Sequence, residues 1–303
     1  MNENQLICIN KIESRIGMPK KNNMFNTKDI ADYYNQTLPH YSIWWKLSEV
    51  QSLHYGIWES DTKSFKEALI NTNITLAELA GVEQQHRLLD VGCGVGGAAF
   101  YLAEKFGCKV TGITLSDKQL SFANELRNQS NVKDLVVFEK QDFTATSFPD
   151  NTFDIVWACE SICHASPKVD FIKELYRILK PGGKFIMADY LLTTDGLIDT
   201  DAYMKHWGDY WAITEFNSKE NMLNELERNH FTIEKNIDIT DKITPSAKKM
   251  YLAYLLGSIP SMLYNLTHNT SRFAKTHYLS GKYQYKALKK KLWTYNIILA
   301  VKK

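Results

Sequence analysis

The sequence predicts an α/β fold in which a mostly parallel, seven-stranded sheet carries helices on both faces. Three observations predict this fold. Short apolar runs alternate with helical stretches over residues 87–192, which is typical of parallel strands joined by right-handed crossovers. A glycine-rich turn directly follows the first apolar run, and two more strand-like segments occupy residues 230–239 and 293–302. We also expect an N-terminal helical cap and a helical insertion before the last strand.

The central part of the chain supplies the first five strands and the helices between them. A short strand begins at residue 87, and the next four are expected at residues 109–115, 135–141, 153–159 and 184–192. The helices between them are expected at residues 97–106, 117–129 and 169–180. The segment LKPGG at 179–183 is typical of a helix end followed by a turn. We assign residues 85–192 to one core unit.

The N-terminal region divides into a polar tail and an aromatic-rich cap. Residues 1–28 are rich in Asn and Lys without lasting periodicity, and this predicts a mobile tail. Residues 29–84 predict a helical cap, with one or two helices before residue 58 that Pro39 interrupts, and another helix at 65–79. The aromatic side chains of the segment 29–58 either pack against a neighbouring surface or line a cavity.

Residues 193–303 are interpreted as the C-terminal half of the core with two insertions. The first, at about 195–230, is expected to form two helices. The second, at about 241–291, separates the last two strands. An insertion of this length in a compact domain is more often a functional lid than a plain loop.

The composition fits one large or two small globular domains. The chain has 303 residues, of which 44% are apolar, and this excludes collagenous and wholly disordered proteins. Its five cysteines contain no CxxC pair, which disfavours a disulfide framework and a structural zinc site and indicates a reducing compartment. The longest apolar run, at 252–266, is interrupted by Gly257 and Pro260, so no membrane span is expected. No group of His, Cys and carboxylate residues has the spacing of metal ligands, so the sequence implies no metal.

The glycine-rich turn LLDVGCGVGG suggests which ligand the core binds. Gly92, Gly94 and Gly96 give the spacing G-x-G-x-G, whereas dinucleotide folds use G-x-G-x-x-G. Asp90 ends the preceding strand, two residues before the first glycine. A carboxylate there would repel a pyrophosphate but suits a ligand that carries an ammonium or sulfonium group. The pattern therefore favours S-adenosylmethionine over NAD as the cofactor.

These motifs resemble the class I S-adenosylmethionine-dependent methyltransferases, which have a Rossmann-like fold. The resemblance covers residues 85–192 and implies that Asp90 and the three glycines approach the methionine part of the cofactor. Such proteins usually end the second strand with an acidic residue that holds the ribose, but Thr114 stands there in this sequence. The resemblance then implies that the ribose contacts are shared and that the pair after the third strand flanks the adenine. The residues concerned are Thr114, Leu115, Ser116 and Gln119 for the ribose, and Asp142 and Phe143 for the adenine.

Further motifs resemble one branch of these methyltransferases, which contains the enzymes that methylate a carbon of sterol side chains and the gamma-tocopherol methyltransferases. The resemblance to this branch rests on three segments: GITLS with Gln119, ACESICHASPK at 158–168 and SLHYGIW at 52–58. Methylation of an alkene carbon produces a carbocation, which aromatic faces and a carboxylate stabilise before a base removes a proton. Glu160 is the expected carboxylate. His164 is the expected base, with a purely structural histidine as the alternative.

Substrate contacts are expected from aromatic residues and a histidine outside the core motifs. Tyr34 and Trp44 belong to the wider set of aromatic candidates. The residues predicted to bind substrate are Tyr33, Trp45, His54, Trp207 and Trp211.

The charge is divided unevenly along the sequence, although its formal sum is only +2. Residues 1–245 carry 25 basic and 34 acidic side chains, and residues 246–303 carry 11 basic and none acidic. The basic segment is a solvated lid face, a contact with an anionic membrane, or a site that neutralises a prenyl diphosphate. The third interpretation requires one or two inward-pointing cations among Lys248, Lys249, Arg272 and Lys282. Nucleic acid is disfavoured because no binding motif accompanies the charge.

The sequence thus predicts a methyltransferase that methylates a carbon of an apolar small molecule, of which an isoprenoid is the favoured class. N- or O-methylation of a small amine or phenol is one alternative. A catalytically silent protein that binds S-adenosylmethionine is another. We expect a cytoplasmic protein, with peripheral membrane contact as an open alternative.

Overall fold

A seven-stranded sheet organises the structure. The computed structural model describes residues 25–44, 47–268 and 270–303. The strand order is β3-β2-β1-β4-β5-β7-β6, in which β1 to β5 run parallel and β7 lies antiparallel between β5 and β6. The predicted fold class is confirmed. The strands are β1 (Arg87–Val91), β2 (Lys109–Thr114), β3 (Val136–Lys140), β4 (Phe153–Cys159), β5 (Leu179–Leu192), β6 (Phe231–Asp238) and β7 (Trp293–Lys302).

Helices cover both faces of this sheet and form the cap and the insertion. They are α1 (Thr27–Trp44), α2 (Leu47–Val50), α3 (Phe65–Ala80), α4 (Gly97–Phe106), α5 (Asp117–Gln129), α6 (Lys168–Ile178), α7 (Tyr203–Trp211), α8 (Lys219–Arg228), α9 (Thr240–Thr267), α10 (Arg272–Thr276) and α11 (Ser280–Lys289). Leu76 of α3 and Phe100 of α4 belong to the apolar core on one face. Leu175 of α6 and Leu226 of α8 belong to the core on the other. Burial of these apolar stripes stabilises the layered arrangement.

Ordered structure in the cap begins before the boundary expected at residue 28. Residues 1–24, most of the predicted mobile tail, lie outside the described residues. Phe25 is buried, its backbone N–H donates to Thr214 Oγ1 at 3.0 Å, and α1 begins at Thr27. The start of the cap is therefore anchored to the segment that follows α7.

Helix α1 continues through Pro39, so the expected interruption is wrong. Proline inside a helix removes one backbone hydrogen bond and usually costs about 3 kcal/mol or more. Here Tyr33, Thr37 and Tyr41 lie one helical turn apart and are all buried. Their packing favours a continuous helix over the local preference of proline.

The fifth strand begins earlier than expected. It starts at Leu179, whose Cα is paired with Phe153, and the next pairing joins Ile155 to Lys184. The LKPGG turn is therefore accommodated as an irregularity within β5, with Gly182 at φ +74°. A local turn pattern cannot reveal that the flanking residues pair with a distant strand.

The predicted helical insertion before the last strand consists of α9, α10 and α11. Phe273 of α10 packs edge-on against Tyr33 of α1, with ring centroids 5.6 Å apart. The long helix α9 contains Pro245 and Pro260. Within the described ranges, no helix is long and apolar enough to cross a membrane.

Candidate active site

A cavity opens at the carboxyl ends of β1, β2 and β4, where α/β sheets usually bind their ligands. Its volume is about 1120 Å³, which includes open space at its mouth. Three regions line it: the start of α1, the segment 51–54, and the loops that follow β1 to β4. Of the predicted residues, those that line it are Asp90, Gly92, Gly94, Thr114, Leu115, Gln119, Asp142, Phe143, Glu160, His164 and His54.

The glycine-rich turn after β1 packs against two other segments. Gly92 has φ +74°, and a Cβ at this position would lie 2.4 Å from Ser161 Cβ. A Cβ on Gly97 would lie 2.0 Å from the Gln51 carbonyl oxygen. Gly96 caps the start of α4 and is not among the cavity-lining residues, so its predicted cofactor contact is not supported. Absent side chains at Gly92 and Gly97 let the loop after β4 and the segment 51–54 approach the cofactor loop.

Asp90 at the end of β1 has the features expected of a residue that holds a cationic ligand. It is buried, its Oδ2 has no hydrogen-bond partner, and burial raises the pKa of its carboxyl to about 7. Within the described residues it forms no ion pair. A carboxylate left alone in a buried position is costly, and a ligand with an ammonium or sulfonium group would offset that cost. The residues present therefore fit S-adenosylmethionine.

The residues at the end of β2 can share the ribose contacts. The Thr114 hydroxyl donates to Gln119 Oε1 at 2.7 Å, which orients the Gln119 amide while both residues line the cavity. Ser116 has another role, because its hydroxyl caps α5 by accepting from the Gln119 N–H and donates to Asn35 Oδ1. Ser116 is also fully buried and is not among the residues that line the cavity, so the structure gives its predicted ribose contact no support.

The pair after β3 is arranged to flank a flat ring. Asp142 Oδ1 accepts from both the backbone N–H and the hydroxyl of Thr144, at 2.8 and 2.7 Å. This fixes the carboxylate and leaves Oδ2 to accept from a ligand amino group. Phe143 is buried beside it and lines the same cavity. The geometry suits an adenine at this edge of the site.

Glu160 follows β4 and faces the cavity from a strained backbone position. Its φ is +50°, which is uncommon for a residue other than glycine and is often found at functional sites. Oε1 accepts from the Tyr55 backbone N–H at 2.6 Å and from the Tyr295 hydroxyl at 2.8 Å. Burial raises the pKa of its carboxyl to about 8, against those two hydrogen bonds, which lower it. Among the described residues it has no ion-pair partner.

His164 is held in the neutral form and is linked to a tyrosine at the cavity. Its Nδ1 lies 3.3 Å from the Ala212 carbonyl oxygen, and its Nε2 lies 2.9 Å from the Tyr34 hydroxyl. Burial lowers the pKa of His164 to about 4. When Nδ1–H donates to Ala212, Nε2 accepts from the Tyr34 hydroxyl. Tyr34 and His164 both line the cavity.

His54 also lines the cavity, from the segment that crosses the glycine-rich turn. Its Nδ1 lies 2.8 Å from the Tyr55 carbonyl oxygen, and its Nε2 is buried without a partner. Burial lowers the pKa of His54, so the ring is neutral at physiological pH. A neutral ring with Nδ1–H donating presents Nε2 as an acceptor. Ser161 Oγ is likewise buried without a partner and lines the same cavity.

Three aromatic residues predicted to contact substrate lie elsewhere. Tyr33 is fully buried and packs against α10. Its hydroxyl oxygen lies 2.9 Å from that of Tyr41, at hydrogen-bond distance. Trp207 and Trp211 of α7 pack against each other and Tyr190 in the core. None of the three is among the lining residues, because their helices turn these positions inward. Trp45 lies outside the described residues.

The sequence analysis missed one functional position, Asp189, and kept another, Tyr34, only in the wider set of aromatic candidates. Tyr34, rather than its neighbour Tyr33, faces the cavity; the helical phase of α1 decides between them, and Pro39 obscured that phase. Asp189 of β5 accepts from the backbone N–H of Cys163 at 3.2 Å and thereby holds the turn that carries His164. Its burial raises the pKa of the Asp189 carboxyl to about 7. An acidic residue inside an otherwise apolar strand was the sequence signal that could have identified Asp189.

The polar groups around the site form no metal cage. Across residues 25–44, 47–268 and 270–303, no group of three or more His, Cys, Asp and Glu side chains is arranged to hold a metal ion. Lys168 has a structural role instead, since its ammonium donates to the Ala165 and Glu215 carbonyl oxygens at 2.8 and 2.9 Å.

Comparison with known proteins agrees with this geometry. Residues 89–187 match a family described as a methyltransferase domain. The sequence is 37% identical over 142 residues to 27-O-demethylrifamycin SV methyltransferase from Amycolatopsis mediterranei, an alignment that spans 47% of this chain and 52% of that protein. It is 36% identical over 162 residues to sterol 24-C-methyltransferase ERG6 from Saccharomyces cerevisiae, an alignment that spans 53% of this chain and 41% of that protein.

A solved structure shares the fold over most of the length. Geranyl diphosphate C-methyltransferase from Streptomyces coelicolor A3(2), in complex with Mg²⁺, geranyl diphosphate and S-adenosyl-L-homocysteine, superposes with a TM-score of 0.73 at 18% identity. The superposition spans 94% of this chain and 100% of that one. Identity this low shows the fold alone. The chain spans about half the length of the curated relatives it matches.

The fold, the glycine-rich turn and the family match define the class of protein. Its core is a class I S-adenosylmethionine-dependent methyltransferase domain, and S-adenosylmethionine is the cofactor of that domain. Within the class it is related to sterol C-methyltransferases and tocopherol O-methyltransferases, so the predicted branch is confirmed.

Proposed function

We propose that this protein transfers a methyl group from S-adenosylmethionine to an alkene carbon of an apolar isoprenoid through a carbocation. The observation that carries the proposal is Glu160, a buried carboxylate at the cavity wall that has no cation beside it among the described residues. Asp90 suits the cationic cofactor, and Glu160 suits a second, transient cation on the substrate. Phe25, Ile30 and Val95 give the cavity apolar walls around them.

The residues of the site would divide the reaction between them. Bound S-adenosylmethionine supplies an electrophilic methyl group on a sulfonium that departs as a neutral thioether. Because burial raises the pKa of Glu160 to about 8, its carboxyl would act once it has lost its proton, which a positive charge beside it favours. The ionised group would then stabilise the charge that develops on the substrate, and its hydrogen bonds from Tyr55 and Tyr295 hold it in place without reorganisation. The Tyr34 ring adds an aromatic face beside the cation, with about 0.5 to 2 kcal/mol expected from such contacts.

A proton must then leave the methylated cation, and two neutral histidines are candidates to accept it. His164 would accept through the Tyr34 hydroxyl, which is already hydrogen-bonded to its Nε2. His54 presents an Nε2 without a partner and would accept directly. Both are neutral at physiological pH because burial lowers their pKa values. Variants of each histidine would distinguish the two routes if they were assayed for methylated alcohols, which form when water adds to the cation and then loses a proton to solvent.

A neutral isoprenoid suits the cavity better than a prenyl diphosphate. The solved structure with geranyl diphosphate makes the diphosphate a reasonable second substrate class. However, no Lys or Arg is among the described residues that line the cavity. Lys248, Lys249 and Arg272 are exposed, and Lys282 lies over the Tyr254 and Tyr283 rings. We therefore place a terpenoid or sterol-like alkene first.

Methylation of oxygen or nitrogen is the second candidate function. The relative from Amycolatopsis mediterranei is named as the methyltransferase of a demethylated oxygen, and Glu160 would also suit a protonated amine. A catalytically silent cofactor-binding protein is the alternative of another class.

The test is an assay with methyl-labelled S-adenosylmethionine on a panel of neutral terpenoid alkenes, sterols, prenyl diphosphates, amines and phenols. We expect label in a new carbon–carbon bond of an alkene, identified from the product mass spectrum. Label found only on nitrogen or oxygen would replace the proposal by the second candidate. Calorimetry with the cofactor alone helps to separate an active methyltransferase from a silent binding protein. Cofactor binding without label transfer to any panel member would favour the silent protein.

A further inference from the structure

The long helix α9 carries an apolar face that the rest of the described structure leaves exposed. Leu256, Ile259 and Leu263 are 73%, 65% and 57% exposed, and Leu252 and Leu255 are each 47% exposed. At about 100° per residue, these five side chains fall within an arc of about 100° on the helix. We call this arc the outer face of α9. Single exposed apolar residues are ordinary, but five on one face form a patch.

The opposite side of α9 makes the contacts with the fold. Met250, Ala253, Tyr254, Gly257 and Ser261 line a second cavity, of about 610 Å³, together with His40, His277 and residues of α11. On the same helical geometry, these five positions lie between about 105° and 175° from the centre of the outer face. The helix is therefore already packed on its inner side, and the outer face is not a core surface.

Charge indicates which partner would cover the outer face. Every residue after Asp241 is neutral or basic, and 11 basic side chains lie between residues 246 and 303. Lys248 is exposed and lies within the same arc, one turn before the leucines, and Lys249 is exposed beside it. Leucines next to lysines, with no acidic residue on the helix beyond its first turn, suit an anionic surface that also accepts apolar side chains.

We propose that the outer face of α9 docks the protein on an anionic lipid bilayer, with the helix lying in the interface. A second copy of the protein is a poorer occupant, because pairing this face with itself would bring two basic segments together without acidic partners. Docking would hold the protein at the lipid, where an apolar substrate is dissolved. The docking itself goes beyond the proposed reaction and does not depend on it.

Co-sedimentation with vesicles tests the proposal. The full-length protein is mixed with vesicles of phosphatidylcholine alone and of phosphatidylcholine with one quarter phosphatidylglycerol, at low and high salt. We expect binding to the anionic vesicles that weakens with salt. The double variant Leu256→Gln with Ile259→Gln should bind at least about tenfold more weakly, because two exposed apolar side chains no longer enter the interface. Lys248→Gln should weaken only the salt-sensitive part.

The matched control is Leu197→Gln with Ile198→Gln. These residues are 47% and 48% exposed but lie on a short turn outside α9, so their replacement should leave vesicle binding unchanged. Cofactor binding by calorimetry verifies that each variant is folded. No binding to anionic vesicles, or equal loss in both double variants, would overturn the proposal. So would a concentration-dependent dimer without vesicle binding that the α9 variant abolishes, since a second copy would then cover the face. None of these measurements needs a substrate, so failure here is distinct from failure of the proposed reaction.

Discussion

Glu160 and Asp90 are two buried carboxylates in one cavity, yet their surroundings differ. Glu160 is held by a backbone N–H and a tyrosine hydroxyl, whereas Asp90 has an oxygen without any donor. A carboxylate with preorganised donors is suited to act on charge that develops during a reaction. A carboxylate without them is suited to a permanent cationic ligand. The difference supports separate roles for the two residues.

The variant Glu160→Gln should lower kcat for alkene methylation about 100-fold or more, because a neutral amide cannot stabilise the cation. The amide oxygen can still accept from Tyr55 and Tyr295, so the fold and the affinity for S-adenosylmethionine should stay within about twofold. Steady-state kinetics and calorimetry measure the two effects. Tyr295→Phe is the matched control, since it removes one hydrogen bond but keeps the charge and should cost less. An unchanged kcat in the glutamine variant would remove Glu160 from the reaction.

At the scale of the element, the glycine-rich turn was predictable, but the segments that cover it were not. A strand followed by G-x-G-x-G specifies a turn from local sequence alone. The loop after β4 and the segment 51–54 meet this turn through contacts between residues about 40 to 70 positions apart. Other long-range contacts decide that Tyr34, which is hydrogen-bonded to His164, faces the cavity, while Trp207 and Trp211 pack against Tyr190 in the core. Which side of a helix faces the cavity depends on the neighbour against which the helix packs, and this is a property of the tertiary structure.

Two glycines with the same backbone angle provide a test of this packing. Gly92 and Gly182 both have φ +74°, but a Cβ would clash with Ser161 at Gly92 and would meet nothing within 4 Å at Gly182. Gly182→Ala should therefore cost only the backbone strain, about 1 kcal/mol in unfolding free energy. Gly92→Ala should cost more and also weaken S-adenosylmethionine binding, because the turn or the loop after β4 must shift.

Urea unfolding and calorimetry of both glycine variants would measure the two costs. Equal unfolding free energies and an unaltered affinity for the cofactor would contradict the close packing inferred between the two loops.

At the scale of the whole molecule, three buried carboxyls make stability depend on pH. Burial raises the pKa values of Asp90 and Asp189 to about 7 and that of Glu160 to about 8, above those of the unfolded state. Between about pH 6.5 and pH 8 the folded protein therefore holds protons that the unfolded state has lost. Stability must fall as pH rises through this window, by up to about 1.4 kcal/mol per pH unit for each protonated group. The buried histidines, whose pKa values burial lowers, oppose this fall near pH 6.5, because there the unfolded state binds protons that the folded state does not; their effect fades above about pH 7.5.

We expect the free energy of unfolding of the cofactor-free protein to decrease from about pH 6.5 to pH 8 in urea titrations. Asp90→Asn should reduce the slope, because the amide does not titrate. S-adenosylmethionine should stabilise the wild-type protein more at the upper end of this range than at the lower end, since its positive charge favours the ionised Asp90. A flat or rising stability over this range would show that these carboxyls are ionised in the absence of ligand.

Local spacing and composition were enough to predict the order of strands and helices along the chain, the glycine-rich turn, the cofactor class and the division of charge at Asp241. Each is encoded in local spacing or in composition. Three features became visible only in the folded structure: which aromatic residues reach the cavity, how Glu160 and His164 are held, and the exposed leucine face of α9. These depend on distant segments that bury one side of an element and leave the other free, and a local pattern does not specify which side that is.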